Sequence, residues 1–383
     1  MPPVRRILMV LRTNEGGGFD HVARLAYQLA KRGHEVAVAG PRASLGNVEV
    51  IEIPIVRSIS PRADVRTVRA LSGVYRRFRP DIVHAHGSKE GVTARLARLV
   101  NPRVPVVYTP HGYAFDSHFS GAGGRAMYRA AEMLAAPLAT RVLCVCEAER
   151  RLAQRIGPAG RTRVVHNGIE PLSPSVVDSK LEQLRGRGPL VCSLAGAREG
   201  KGVETLIDAA PAVLEEFPSV TIVVAGDGPL RASLEDRARK AGVAERFHLH
   251  GQVSDVAGVL NAADVFTHPS WAESLPYAVL EAMSLGLPIV ATDVGGVAEA
   301  VPDRDCALLV PPRDERALGD ALRALLRDRD LARELGSAAR RRQLEQFSLE
   351  RMVDGTVAVY EEILARRSGR TRIDAEELAH DVD

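Results

Sequence analysis

The segment ESLPYAVLEAMSLGLPIVATDVGG, residues 273–296, decides how the rest of the chain is read. From Ser274 to Thr292 its only charged side chain is Glu281. Pro276 suits the first position of a helix, where its missing N–H would lack a partner anyway. Gly286 and Pro288 then stop that helix. The helix surface is apolar almost all round, which predicts burial. A lone carboxylate inside such a helix is costly unless something hydrogen-bonds it, and ligand hydroxyls could do so. Glu273 precedes the helix, where main-chain N–H groups and the helix dipole favour negative charge. The pair predicts a ligand with hydroxyls near one end and phosphate close by. A Glu that complements the dipole and a core Glu paired to an Arg would satisfy the same residues, since structural ion pairs mimic sites.

Working outward, strands alternate with helices along both halves, which predicts parallel sheets covered by helices. In the first half the strands are read at residues 5–11, 34–39, 48–55, 81–86, 105–110, 141–147 and 162–169. A glycine run, Gly16-Gly17-Gly18, follows the first strand and lets main chain approach a ligand closely. It is not G-x-G-x-x-G, so a dinucleotide site is poorly supported. His86 and His111 lie at carboxyl ends of strands, where ligands of open α/β sheets sit. A metal role for His111 is not expected, because no second ligand stands at metal spacing beside it in sequence. Residues 171–189 carry Pro171, Pro174, Gly186, Gly188 and Pro189 among polar residues and read as a linker. In the second half, residues 189–195 form a strand before the loop 196–202. That loop carries Arg198 and Lys201, which suit a diphosphate. Further strands are read at 220–225, 247–251, 265–269, 288–292 and 307–310, and three helices follow Asp314.

At 383 residues the chain has room for two ordinary domains. Cys144, Cys146, Cys192 and Cys306 form no C-x-x-C pattern, which argues against a disulfide framework or zinc ribbon and for a reducing, cytoplasmic setting. The apolar run at residues 7–11 is too short for a signal peptide core. No run of eighteen apolar residues is present to span a membrane. Net charge is +3, yet residues 1–170 hold 26 Lys and Arg against 13 Asp and Glu, a net of +13, leaving −10 for the remainder. Such a split predicts that the first half faces an anionic surface or substrate. Aromatics are only 4%, and no nucleic-acid motif appears, so a membrane face or a phosphorylated acceptor is expected rather than nucleic acid. The basic amphipathic helix at residues 63–79 is the candidate contact. Asp303-Arg304-Asp305 and Asp328-Arg329-Asp330 match D-x-D on paper but fall in a turn and between helices, and read as surface charge.

Glu273, seven residues, Glu281, then Ala-Met, Gly-x-Pro and Thr-Asp-Val-Gly-Gly resembles the donor-binding segment of family 4 glycosyltransferases. The resemblance covers nearly the whole chain. It implies the GT-B architecture: two Rossmann-like α/β domains facing a cleft, at residues 1–170 and 190–347. A helix at 348–367 would return to the first domain, and residues 368–383 form a disordered tail. It also implies a retaining, metal-independent transferase with no cofactor, taking a sugar from a nucleotide-sugar donor, uridine-linked by expectation. The acceptor would be a glycan or a lipid-linked saccharide, as in the bacterial exopolysaccharide and lipopolysaccharide assembly members that residues 110–150 are similar to. His111-Gly112 matches the family's His-Gly, where the His contacts the donor sugar. Glu273 would join it there as a catalytic-site residue. Donor binding is carried onto Gly17, Gly18, Arg198, Lys201, Gly226, Val253, Ser274, Leu275 and Glu281. The family's loop Arg falls on Gly196, so Arg198 is the candidate substitute. A nucleotide-sugar epimerase of similar fold, or a non-catalytic sugar or lipid-phosphate binder, stays open on the residues alone.

Overall fold

Residues Ile7, Leu8, Met9 and Val10 are all but inaccessible to solvent, because a parallel strand covered on both faces has no polar side to show. The computed structural model describes residues 5–56, 60–116, 121–173, 175–177 and 179–380, with the backbone alone at 122 and 368–380. It divides into two compact units.

In the first unit β1 (Arg6–Val10), α1 (Gly17–Lys31), β2 (Glu35–Gly40), β3 (Glu49–Glu52), α2 (Pro61–Phe78), β4 (Ile82–His86) and α3 (Ser88–Ala97) follow in order. Then come β5 (Val106–Thr109), α4 (Ala122–Ala135), β6 (Arg141–Cys144), α5 (Glu147–Ile156) and β7 (Thr162–Val164). The seven strands pair in the order β3-β2-β1-β4-β5-β6-β7, every pair parallel. The order reverses between β1 and β4, which leaves a crevice at their carboxyl ends, the usual ligand position of such sheets.

The second unit carries α6 (Ser179–Arg185), β8 (Leu190–Leu194), α7 (Val203–Glu216), β9 (Thr221–Ala225), α8 (Arg231–Lys240), β10 (Phe247–Gly251) and α9 (Val256–Ala262). β11 (Val265–His268), α10 (Tyr277–Ser284), β12 (Ile289–Thr292), α11 (Val297–Ala300), β13 (Leu308–Val310), α12 (Glu315–Arg327) and α13 (Arg329–Gln346) complete it. Its six parallel strands run β10-β9-β8-β11-β12-β13, with the reversal between β8 and β11. The last helix, α14 (Leu349–His380), belongs to the first unit. Its Met352, Val353, Tyr360 and Ile363 join the core beneath β1 and α1.

Several boundaries differ from the sequence expectation. Pro276 is the N-cap of α10 and not its first helical residue, while Gly286, at φ 71°, ends the helix. Gly17 and Gly18 form the first turn of α1, so the loop proper is shorter. Residues 171–189 are not wholly a linker. They contain α6, which buries Leu181 and Leu184 against β8 and β9. The backbone of α14 runs on to His380, through the stretch expected to be a disordered tail; residues 381–383 and Pro174 lie outside the described residues.

Candidate functional site

In the second unit the turns after β8, β9 and β11 converge at the sheet reversal. Glycines make this possible. A Cβ on Gly226 would stand 2.3 Å from the Ala195 carbonyl oxygen, and one on Gly202 would stand 1.8 Å from that of Pro269. The first two turns are stitched by Ala197 N–H donating to Asp227 O at 3.2 Å and Leu230 N–H to Ala197 O at 2.9 Å. Trp271 N–H donates to Gly200 O at 2.8 Å, which fixes the third turn.

Lys201 and Glu273 meet here. Nζ lies 2.6 Å from Oε1, and His268, at the end of β11, places Nε2 3.3 Å from the same oxygen. Glu273 is 13% exposed and Lys201 34%. Burial alone would raise the Glu273 carboxyl. The Lys201 ammonium, with His268, outweighs it and holds Glu273 well below the usual carboxylate range. Glu273 is therefore an anion near neutral pH. The glycine pair at the end of the quoted segment has its reason in this spot. Gly295 takes φ 55°, and a Cβ there would fall 1.7 Å from the Glu273 carbonyl oxygen. Gly296 N–H then donates to Ser274 O at 2.6 Å.

The remaining residues expected in this half lie nearby in the fold or in its frame. Glu281 sits on α10 and is 9% exposed. Leu275 is buried, and its carbonyl accepts from Asn167 Nδ2 at 2.8 Å. Arg198 is exposed, with its stem over the turn at Gly228, 3.0 Å from where a Cβ would be. Ser274 is half-buried, and Val253 is half-buried against the α6–α9 core. His268 and Asn167 were missed by sequence reasoning. Asn167 falls within the stretch read as the last strand of the first half, and nothing in the chain order says which carbonyl it reaches.

The first unit gathers imidazoles at its own reversal. His21 comes from α1, His84 and His86 from β4, and His111 from the turn after β5. His86 Nδ1 is 3.1 Å from His111 Nε2. His84 is tied on both nitrogens, to Tyr360 Oη at 2.6 Å and Thr109 Oγ1 at 2.8 Å. Burial, then neighbouring imidazoles, pushes His84, His86 and His111 well below the ordinary histidine value, so all three are neutral near pH 7. Neutral imidazoles can both donate and accept toward hydroxyls.

His111 itself is held in a left-handed conformation, φ 54°. Glu149 holds it there. Its two carboxylate oxygens accept from Gly112 N–H at 2.6 Å and Val145 N–H at 2.8 Å. Gly18 lies beside this turn, a Cβ there being 4.0 Å from His111 Cδ2, and Gly17 precedes it in the same helical turn. The expectation that no second ligand stands beside His111 fails in space. His21 and His86 are both there, brought together from positions too far apart in the chain for a spacing rule to see. Of the D-x-D pairs, Asp328 caps α13 and Asp303 accepts from Leu309 N–H at 2.9 Å, so both have structural duties.

Two family models match the chain: glycosyl transferases group 1 over residues 178–342, and a glycosyl transferase 4-like domain over residues 16–168. A glycogen synthase of Mycobacterium tuberculosis is 30% identical over 306 residues, 78% of this chain and 72% of that protein. An Escherichia coli UDP-Gal:alpha-D-GlcNAc-diphosphoundecaprenol alpha-1,3-galactosyltransferase is 27% identical over 323 residues, 81% of this chain and 83% of its own. Among solved structures, sucrose-phosphate synthase from Thermosynechococcus elongatus superposes with a TM-score of 0.81 at 20% identity, covering 94% of this chain and 99% of that one. Anabaena HepE in complex with UDP-glucose gives 0.80 at 22% identity, covering 94% and 100%.

Proposed function

The chain belongs to the group 1 glycosyltransferases, of the GT-B fold, and we propose that it transfers a sugar, with retention, from a uridine-linked donor to a glycan or lipid-linked acceptor. The observation that carries this reading is the Lys201–Glu273 contact at the sheet reversal of the second unit. It sets a cation for phosphate beside an anion for sugar hydroxyls. The family's known members handle nucleotide sugars, and the E. coli relative's name specifies UDP-galactose and a lipid diphosphate acceptor.

In this scheme the anomeric C–O bond to the diphosphate breaks while the acceptor oxygen bonds the same face. The acceptor's proton passes to the departing phosphate oxygen. The protein contributes positioning and electrostatic stabilisation. Lys201 shares its three N–H donors between Glu273 and the diphosphate, and Arg198, two residues beyond the family's Arg position, adds charge. On the second unit Glu273 orients sugar hydroxyls, Glu281 holds the ribose, and Gly226, Val253, Ser274 and Leu275 shape the donor's bed. On the first unit neutral His111, with Gly17 and Gly18 beside it, offers its own contacts to sugar hydroxyls. No cofactor or metal enters the step.

The basic half suits an acceptor held at an anionic membrane. Arg66, Arg69, Arg76 and Arg77 are exposed on α2, and Met127, Met133 and Leu134 are exposed on α4 beside Arg125 and Arg129. Among the described residues no helix is long and apolar enough to cross a membrane, so docking would be peripheral. The test is incubation with a panel of nucleotide sugars and glycan or lipid-linked acceptors. Nucleoside diphosphate release should accompany a glycosylated product whose anomeric proton shows retention, and a chelator should not lower the rate. An epimerised donor, or binding without turnover, sinks the proposal.

A further inference from the structure

We propose that His21, His86 and His111 bind one divalent transition-metal ion of the zinc class. One ring nitrogen from each comes within 4.8 Å of the other two. The His86 Nδ1 to His111 Nε2 separation is 3.1 Å. Three imidazoles around a tetrahedral zinc, at Zn–N of about 2.0–2.1 Å, stand about 3.3 Å apart. One pair is already at that spacing, and small ring rotations bring in the third. His21 meets His111 edge-on with centroids 4.6 Å apart, and His86 lies near-parallel to His111 at 5.3 Å.

His86 is 1% exposed. The 3.1 Å pair uses its Nδ1, which leaves Nε2, the nitrogen without a hydrogen-bond partner among the described residues, to carry the ring proton. His84 is excluded as a ligand, since Tyr360 and Thr109 engage both its nitrogens. It instead backs His86, ring centroids 4.0 Å apart. The donor set is nitrogen only. That suits zinc, nickel or copper and disfavours magnesium and calcium, which take oxygen ligands. His111 is the one partly exposed member, which leaves an entrance and a fourth position for water.

Ion binding does not rest on the transferase reading, but one consequence does. An ion on His111 takes the ring that the proposed reaction uses for the sugar, so zinc would inhibit transfer.

The test uses the full chain, stripped with a chelator and then titrated with Co2+ by visible absorption and with Zn2+ by calorimetry. One equivalent should bind, with the intense absorption of four-coordinate cobalt and no sulfur-to-metal band from the four buried cysteines. Affinity should fall at least tenfold in both His21→Gln and His86→Gln. No saturable uptake, a weak six-coordinate spectrum, a sulfur band, or unchanged affinity in either folded variant overturns the site. Should a variant fail to fold by circular dichroism, the spectrum of the unaltered chain decides. A chain that binds the ion yet transfers no sugar keeps the site and loses the proposed function.

Discussion

Glu273→Gln keeps the side-chain volume and removes the charge. In the structure that charge faces Lys201 Nζ at 2.6 Å and His268 Nε2 at 3.3 Å. A hydrogen bond to a charged group contributes about 1.5–3 kcal/mol. Lys201 is a third exposed, and water recovers part of its loss, so the net stability cost should be about 1–2 kcal/mol. Calorimetry should show a Tm lower by about 2–8 °C, the range for a unit of this size. The sign of the pH dependence follows from the depressed carboxyl. Its stabilisation is present above the ordinary value of 4.5 and is lost as pH falls toward the folded value. The two proteins' Tm curves should therefore converge below pH 4.5 and stay apart above it. If the same carboxylate orients the sugar in the transition state, the lost contact lowers kcat by about ten- to hundredfold, at 1.36 kcal/mol per decade. Nucleoside diphosphate affinity should move the other way. With no carboxylate competing for Lys201, it should hold or tighten by up to about tenfold. Steady-state kinetics and calorimetric titration read both. An unchanged kcat, or weaker diphosphate binding, would refute the division of roles between Glu273 and Lys201.

Lys201→Ala should weaken nucleoside diphosphate binding by about tenfold or more while leaving the free nucleoside unaffected, as titration of both ligands will show. Glu281→Gln should raise the donor KM by about ten- to hundredfold with little change in kcat, because the ribose alters little in the transition state. Glu149→Ala strands the buried N–H of Val145, worth about 1–3 kcal/mol, and frees that of exposed Gly112 to water; the Tm should drop, and hydrogen exchange at Gly112 should quicken. Binding to anionic vesicles should fall as salt rises and weaken when Arg66, Arg69, Arg76 and Arg77 are replaced together, each having contributed about 1 kcal/mol; equal binding to neutral vesicles would count against membrane docking.

The α/β alternation was legible because fully buried parallel strands are short apolar runs, and glycine marks their ends. Helix α3 was not. Its pattern lacks a polar face, since Lys89, Glu90 and Arg95 are all buried. Each is matched by a charge from elsewhere: Asp64 at 2.7 Å, Arg12 at 3.2 Å and Glu132 at 2.6 Å. Periodicity assigns charge to solvent, so a helix that buries three ion pairs is invisible to it. Helix α6 was hidden for a different reason. Only Leu181 and Leu184 mark it, too few to outweigh the prolines and glycines around them.

The candidate residues of the two units differ in the same way. Lys201, Glu273, Gly295 and Gly296 stood out because each answers a local demand: a basic glycine loop, a helix start, a tight turn. Their joint geometry then followed from one rule, that the turns after β8 and β11 flank the sheet reversal. The imidazole cluster obeys that rule too, after β1, β4 and β5, yet its members look like unrelated histidines along the chain. His86 alternates with apolar neighbours yet ends its strand, a pattern that suits core and cleft alike; it is buried, and also 3.1 Å from His111. Burial and function are separable in sequence only when a buried polar residue has no nearby partner to satisfy it. Here the partner is another histidine 25 residues away, supplied by the next strand of the sheet, so the strand register that pairs His86 with Thr109 also sets the distance to His111.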